Sequence, residues 1–263
     1  MVAGIATFDA WSPPSMSSTV PPSGTSAPGI TLARLRKTPL VVATHNAGKV
    51  NELVTLLRTL GLDCIEAAAL NLPEPEETED SFTGNALLKA TLAATQTGRV
   101  ALGDDSGVCV DALGGAPGIY TARWAGEPRD WKRAMQRVEF ELAERGAALP
   151  SARGATFVCA LALAAPDGQS VTVEARVPGV LVWPPRGELG AGFEPMFLAQ
   201  GQQQTYGEME PATRGAINHR AAAFRLLAHR LGDAPPVVGS PSPGAGCRTL
   251  GPAAFLLRRT PFG

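Results

Sequence analysis

The chain is expected to fold around a mixed α/β sheet, because segments of helical period alternate with short apolar runs and two long alternating runs flank an Asp167-Gly168 turn. The longest apolar run, residues 158–165, falls far short of the roughly 20 residues that span a bilayer. No membrane segment is therefore expected.

Residues 39–43 (PLVVA) predict a buried strand that runs into a helix, where Val50, Leu53, Val54, Leu57 and Leu60 recur at helical spacing and Gly61 supplies a stop. A second strand is expected over 63–67, followed by the acidic loop PEPEETED at 73–80. Phe82, Ala86, Ala90 and Ala93 mark a helix over 82–97, and residues 100–103 form a strand that ends at Asp104-Asp105-Ser106-Gly107. The segment 130–145 is amphipathic, with Trp131, Met135, Val138 and Leu142 on one side. A hairpin joins 156–164 to 170–177 through the Asp-Gly turn. One helix over 216–231 closes the unit, with Ile217, Ala221, Phe224, Ala228 and Leu231 inward.

The ends differ from this middle. Residues 11–29 and 234–246 are rich in Ser, Pro and Gly and carry too little apolar surface to offset ordering entropy, so 1–37 and 234–263 are expected to be tails around one unit, 38–233. A net charge of −1 gives no basic excess for a nucleic-acid polymer or an acidic membrane surface. Cys64, Cys109, Cys159 and Cys247 stand singly, which argues against a zinc site or a disulfide framework. The first three are expected as small core residues in a reducing compartment. With no basic-then-apolar leader at the start of the chain, a cytoplasmic setting is expected.

Chemistry concentrates in a few runs. Thr44-His45-Asn46-Ala47-Gly48-Lys49 lies between a strand end and a helix start, where unsatisfied backbone N–H groups, a permissive Gly48 and the Lys49 charge can grip phosphate. It is no Walker loop, since Val50 follows the lysine. The pattern also suits a plain helix cap. Glu76 and Glu77 in the acidic loop, with Asp104 and Asp105, offer hard oxygen donors for Mg²⁺, and one carboxylate could activate water. Taken alone, they equally describe a solvated loop and an Asx-turn. Asn218-His219-Arg220, with Arg214 before it, brings a fork of donors for ring or phosphate acceptors, or an ordinary charged helix face.

Together the runs ATHNAGKVNEL (43–53), EETEDSFTGNALLKA (76–90), GDDSGVCVDALGGAPGIYTARWAG (103–126), GFEPMF (192–197) and INHRAAA (217–223) resemble the inosine triphosphate pyrophosphatase family, which acts on XTP and dITP. The resemblance implies an elongated two-lobed fold with a central mixed sheet, flanking helices and a cleft between lobes, acting as a homodimer. It implies Mg²⁺-dependent cleavage of a non-standard purine nucleoside triphosphate to the monophosphate and pyrophosphate. By the same resemblance, Thr44 to Lys49 and Lys89 hold the triphosphate, and Glu76 and Asp105 support Mg²⁺. Asp105 accepts the proton of water, Ser106 touches substrate, and His219 and Arg220 contact the 6-oxo edge and N7 of the base.

The family's F-G-[YW]-D run appears here as Ala191-Gly192-Phe193-Glu194, so the residue that ordinarily stacks on the base is an alanine. Arg214 stands where a lysine is usual, Asn218 for a serine, and Gly84 for a frequent glutamate. The altered base pocket leaves two other possibilities: a nucleotide pyrophosphatase of different base specificity, or a nucleotide-binding paralogue with impaired chemistry.

Overall fold

The computed structural model describes residues 29–232, and the rest of both expected tails lies outside the described residues. In order, the elements are α1 (Leu32–Leu35), β1 (Leu40–Val42), α2 (Ala47–Thr59), β2 (Cys64–Glu66), α3 (Phe82–Thr97), β3 (Ala101–Val110), α4 (Thr121–Trp124), α5 (Trp131–Glu144), β4 (Gly154–Ala164), β5 (Ser170–Leu181), β6 (Phe197–Ala199), α6 (Pro211–Ile217) and α7 (His219–Arg230). Local chemistry sets the helix starts. The side chains of Asn46, Ser81 and Asp130 accept hydrogen bonds from the backbone N–H of Lys49, Gly84 and Arg133, capping α2, α3 and α5.

A single six-stranded sheet runs in the order β2-β1-β3-β4-β5-β6. β1 pairs in parallel with both β2 and β3, while β3, β4, β5 and β6 pair antiparallel. The expected mixed sheet with flanking helices is therefore what forms. Helix α3 covers one face, where Phe82, Ala86, Ala90 and Ala93 pack with Val41, Ala101, Val158 and Ala160. Helices α2 and α7 cover the other, with Leu53, Leu57, Phe224 and Leu227 against Leu102, Leu161 and Leu163. A further core gathers around α5 and β6, including Met135, Val138, Leu142, Phe193, Met196 and Phe197. Each large apolar side chain buried in these layers contributes about 1.5–3 kcal/mol.

Four expectations change. Asp104-Asp105-Ser106-Gly107 does not end a strand: β3 continues to Val110, with Asp104 opposite Leu161 and Asp105 opposite Ala160. The long β4 neighbour supplies pairing partners along the whole segment, which overrides the poor strand propensity of Asp and Gly. Gly103 also lets α3 approach, since a Cβ there would lie 2.0 Å from the Ala86 carbonyl oxygen. The closing helix is two helices. Asn218 adopts extended backbone (φ −71°, ψ 169°), and its side chain accepts from the Ala221 N–H at 2.8 Å, ending α6 and capping α7.

The third change concerns residues 29–37, expected within a tail. Ile30, Leu32 and Leu35 are buried in the α2/α7 core, and Arg34 bonds Asp167 at the β4–β5 turn at 2.7 Å. The packed unit therefore begins before residue 38. Lastly, Cys159 is buried, but Cys64 and Cys109 are only half-buried; all three are free thiols.

Candidate active site

Side chains alternate across a strand, so continuing β3 through the Asp pair sends its two carboxylates to opposite faces. Asp104 faces α2 and α7, where Lys49 Nζ lies 2.5 Å and Arg220 Nε 3.2 Å from its oxygens, and the Cys159 thiol donates to it at 3.3 Å. Burial alone would raise its pKa, but Lys49 and Arg220 overcome that and hold it well below the usual carboxylate range. Asp105 faces α3. Asn85 Nδ2 donates to it at 3.3 Å and Lys89 Nζ lies 3.5 Å away. Here burial outweighs the partly compensating lysines, and the pKa rises. The same burial acts against the Lys89 charge, yet Asp105 and then Glu77 reverse it and hold the ammonium protonated.

Asp105 and Ser106 line a cleft of about 390 Å³, and Asp104 lies buried behind it. Its walls come from both packing zones: the start of α2 on one side, the start of α5 and the 191–194 turn on the other. Of the first run, Thr44, Asn46, Gly48 and Lys49 line the cleft, whereas Ala47 does not and His45 turns away to bond the Leu72 carbonyl at 2.8 Å. Lys89, Ala191, Gly192, Phe193, Glu194, Arg214, His219 and Arg220 all reach it.

Glu76 does not. It is exposed and outside the lining, while its neighbour Glu77 enters the cleft and pairs with Lys89. Of these two neighbours only Glu77 faces inward, and Glu74 earlier in the same loop also lines the cleft. Among the described residues no three His, Cys, Asp or Glu side chains gather into a ready-made metal cage. Glu77 and Asp105, joined through Lys89, present instead two carboxylates beside space for phosphate. That donor set fits Mg²⁺, which commonly takes one or two carboxylates and completes its shell with water and substrate oxygens.

The Arg220 side of the cleft is tightly knit. Arg220 bonds Glu52 at 2.5 Å and Ser106 Oγ at 3.1 Å besides Asp104. His219 stacks on Phe157 (centroids 4.8 Å, planes 19° apart), and its Nδ1 has no hydrogen-bond partner. Burial first, then the Arg220 charge, depress its pKa well below the usual value, so the ring is neutral and presents one donor and one acceptor. Arg214 is committed elsewhere: its Nη1 donates to the carbonyls of Leu189, Tyr206 and Met209 at 2.8–3.3 Å, and its Nε lies 3.5 Å from Glu194. The Glu194 carboxylate, raised in pKa by burial, accepts from the Ala191 N–H at 2.7 Å. Arg214 and Glu194 thus clasp the 189–194 turn.

Sequence reasoning did not single out Glu52, Trp131 or Phe157. Glu52 had a signal, since it follows Lys49 by three positions and so shares its helix face. Trp131 fitted a helix stripe, and nothing local distinguished a ring lining a cleft from one in a core. Phe157, far from His219 in sequence, had no signal.

A family model described as "Ham1 family" matches residues 40–230. A dITP/XTP pyrophosphatase of Zymomonas mobilis is 51% identical over 194 residues, covering 74% of this chain and 92% of the relative. One from Rhodospirillum centenum is 53% identical over 191 residues, covering 73% and 93%. Among solved structures, a HAM1 protein from Coxiella burnetii superposes with a TM-score of 0.68 at 34% identity, over 74% of this chain and 98% of that one.

Proposed function

Since the chain belongs to the Ham1 family, we propose that it is a hydrolase cleaving non-standard purine nucleoside triphosphates such as dITP and XTP to the monophosphate and pyrophosphate. Curated dITP/XTP pyrophosphatases about half identical to it support the substrate class. The observation that carries the mechanism is Asp105, a buried carboxylate of raised pKa that opens into the same cleft as Lys49 and Lys89.

In this reading the N-terminus of α2 and Lys49 grip the phosphates, through unsatisfied N–H groups and a full charge. Lys89 adds charge beside the reacting phosphoryl group, where a preorganised cation stabilises the developing negative charge. Asp105 orients a water and takes its proton. A raised pKa makes a carboxylate the better base. The water oxygen bonds to phosphorus as the α–β anhydride bond breaks, and pyrophosphate leaves. Glu77 and Asp105 would hold Mg²⁺, which when bound neutralises phosphate charge and polarises the phosphoryl oxygens. Glu77 takes the role expected of Glu76 because, of the two, it enters the cleft and pairs with Lys89 beside Asp105.

Neutral His219 and the Arg220 donors would address the 6-oxo edge and N7. A 6-amino group would present a donor to these donors, which disfavours adenine. Arg214 acts in this reading by holding the 189–194 turn rather than by touching substrate. A homodimer and a cytoplasmic setting are likewise proposed on the family likeness. No described helix is long and apolar enough to cross a membrane.

The test is pyrophosphate release from dITP with Mg²⁺ by the wild type and by Asp105→Asn. The variant should lose about 10²–10⁴-fold in kcat, the usual worth of a positioned general base, while still binding nucleotide. Equal release by both proteins would remove Asp105 from the chemistry.

A further inference from the structure

The residue at 191 cannot form a stacking platform, since alanine offers one methyl group. Besides His219, three aromatic rings line the cleft: Phe157, Phe193 and Trp131. Phe193 is 1% exposed and belongs to the α5 core. Phe157 is 6% exposed and has one face against His219. Only Trp131 remains half-exposed to the cleft.

Its placement is fixed from two directions. Asp130 caps α5, so Trp131 is the first residue of that helix and sits where the chain enters the cleft wall. Phe193 meets its ring edge-on, with centroids 5.9 Å apart and planes 75° apart. That is a favoured aromatic geometry, and it fixes the indole in the cleft wall. The backbone at Gly192 passes over the six-membered ring, where a Cβ would lie 3.7 Å from Cζ3. A Cβ at 192 would stand in ordinary contact with that ring, and the φ of +62° would strain any residue but glycine.

We propose that Trp131 is the surface on which the nucleotide base stacks, replacing from α5 the aromatic that position 191 lacks. The proposal rests on the nucleotide reading of this cleft and makes Trp131 a base-binding residue. A flat π face recognises a ring without regard to its edge groups, so it sets affinity for the base, and His219 and Arg220 set which edge is accepted.

Three proteins test this: wild type, Trp131→Leu, which keeps apolar bulk against Phe193, and Trp131→Phe, which keeps a π face. For Trp131→Leu the KM for dITP should rise about 5- to 100-fold, from the usual worth of a base–aromatic stack, with kcat within about twofold. Trp131→Phe should stay within about threefold of wild type in both constants. Inorganic tripolyphosphate, which has no base, should inhibit all three with the same Ki. An unchanged KM in Trp131→Leu, an equal loss in Trp131→Phe, or a tripolyphosphate Ki that rises in step with KM would each overturn the proposal. If the wild type releases pyrophosphate from dITP, those results bear on Trp131 alone. If it releases none from any nucleotide triphosphate, the functional reading and this inference fall together.

Discussion

Replacing Asp104 with Asn would leave the Lys49 ammonium and the Arg220 guanidinium facing a neutral amide in a buried setting. Breaking such a pair costs about 3–5 kcal/mol, and the remaining Glu52 partner of Arg220 favours the lower end. Urea unfolding should show that loss; a variant as stable as wild type would mean that the pairs contribute nothing. The pH dependence has a defined sign. Folding lowers the Asp104 pKa from 3.8, so its stabilisation is complete above that value and is lost as pH falls through the lower folded value. Asp104→Asn should therefore flatten the acid limb of the stability profile. Asp105, raised by folding, acts in the opposite sense and loses stability as pH climbs above 3.8. Sequence alone could mark these neighbours as chemically loaded but could not divide their roles. The division depends on their lying mid-strand, and a run of Asp, Ser and Gly suggests a turn.

At the level of elements, the contact of α3 with β3 sets the distances of Asn85 and Lys89 from Asp105. Gly103→Ala would place a methyl carbon 2.0 Å from the Ala86 carbonyl oxygen and 2.9 Å from the Ala90 nitrogen, both helix backbone. Overpacking of this kind costs about 1–3 kcal/mol, and here it would push Asn85 and Lys89 away from Asp105. A lower melting temperature and slower pyrophosphate release should appear together. The control is Gly215→Ala in α6, where nothing lies within 4 Å, and it should be neutral or slightly stabilising. A fully active, fully stable Gly103→Ala would show that α3 can shift without consequence. Helix α3 was legible to both ends because its Ser81 cap, its apolar period and Gly98 agree. The break at Asn218 was not, since the inward residues continue across it and only the cap geometry interrupts them.

For the whole molecule, the start of the packed unit matters most. Leu35, 2% exposed in the α2/α7 core, was expected within a tail. Leu35→Ala should cost about 2–5 kcal/mol in a denaturation experiment, where a true tail residue would cost nothing. Four helical residues after a Ser/Pro/Gly-rich run are too few for periodicity to register, so the tertiary contacts of Ile30, Leu32 and Leu35 alone reveal the boundary. The mixed sheet, by contrast, was legible from the alternation of elements and the Asp167-Gly168 hairpin. Lys49, Asp105 and Arg220 come from different elements and are joined in the sequence only by the family resemblance. Trp131 was not legible at the cleft they line, because its helix stripe reads equally as core.

Holding Asp105 in the middle of a fully paired strand, while Ala191 and Glu194 sit on a turn in the cleft wall, has an evolutionary consequence. Substitutions on that turn can accumulate without disturbing Asp105, because the ladder between β3 and β4 fixes its backbone independently. Ala191, Glu194 and Arg214 can thus diverge from the family pattern beside an intact Asp105 and Lys89. Substrate preference in such an enzyme is free to drift while its reaction stays the same.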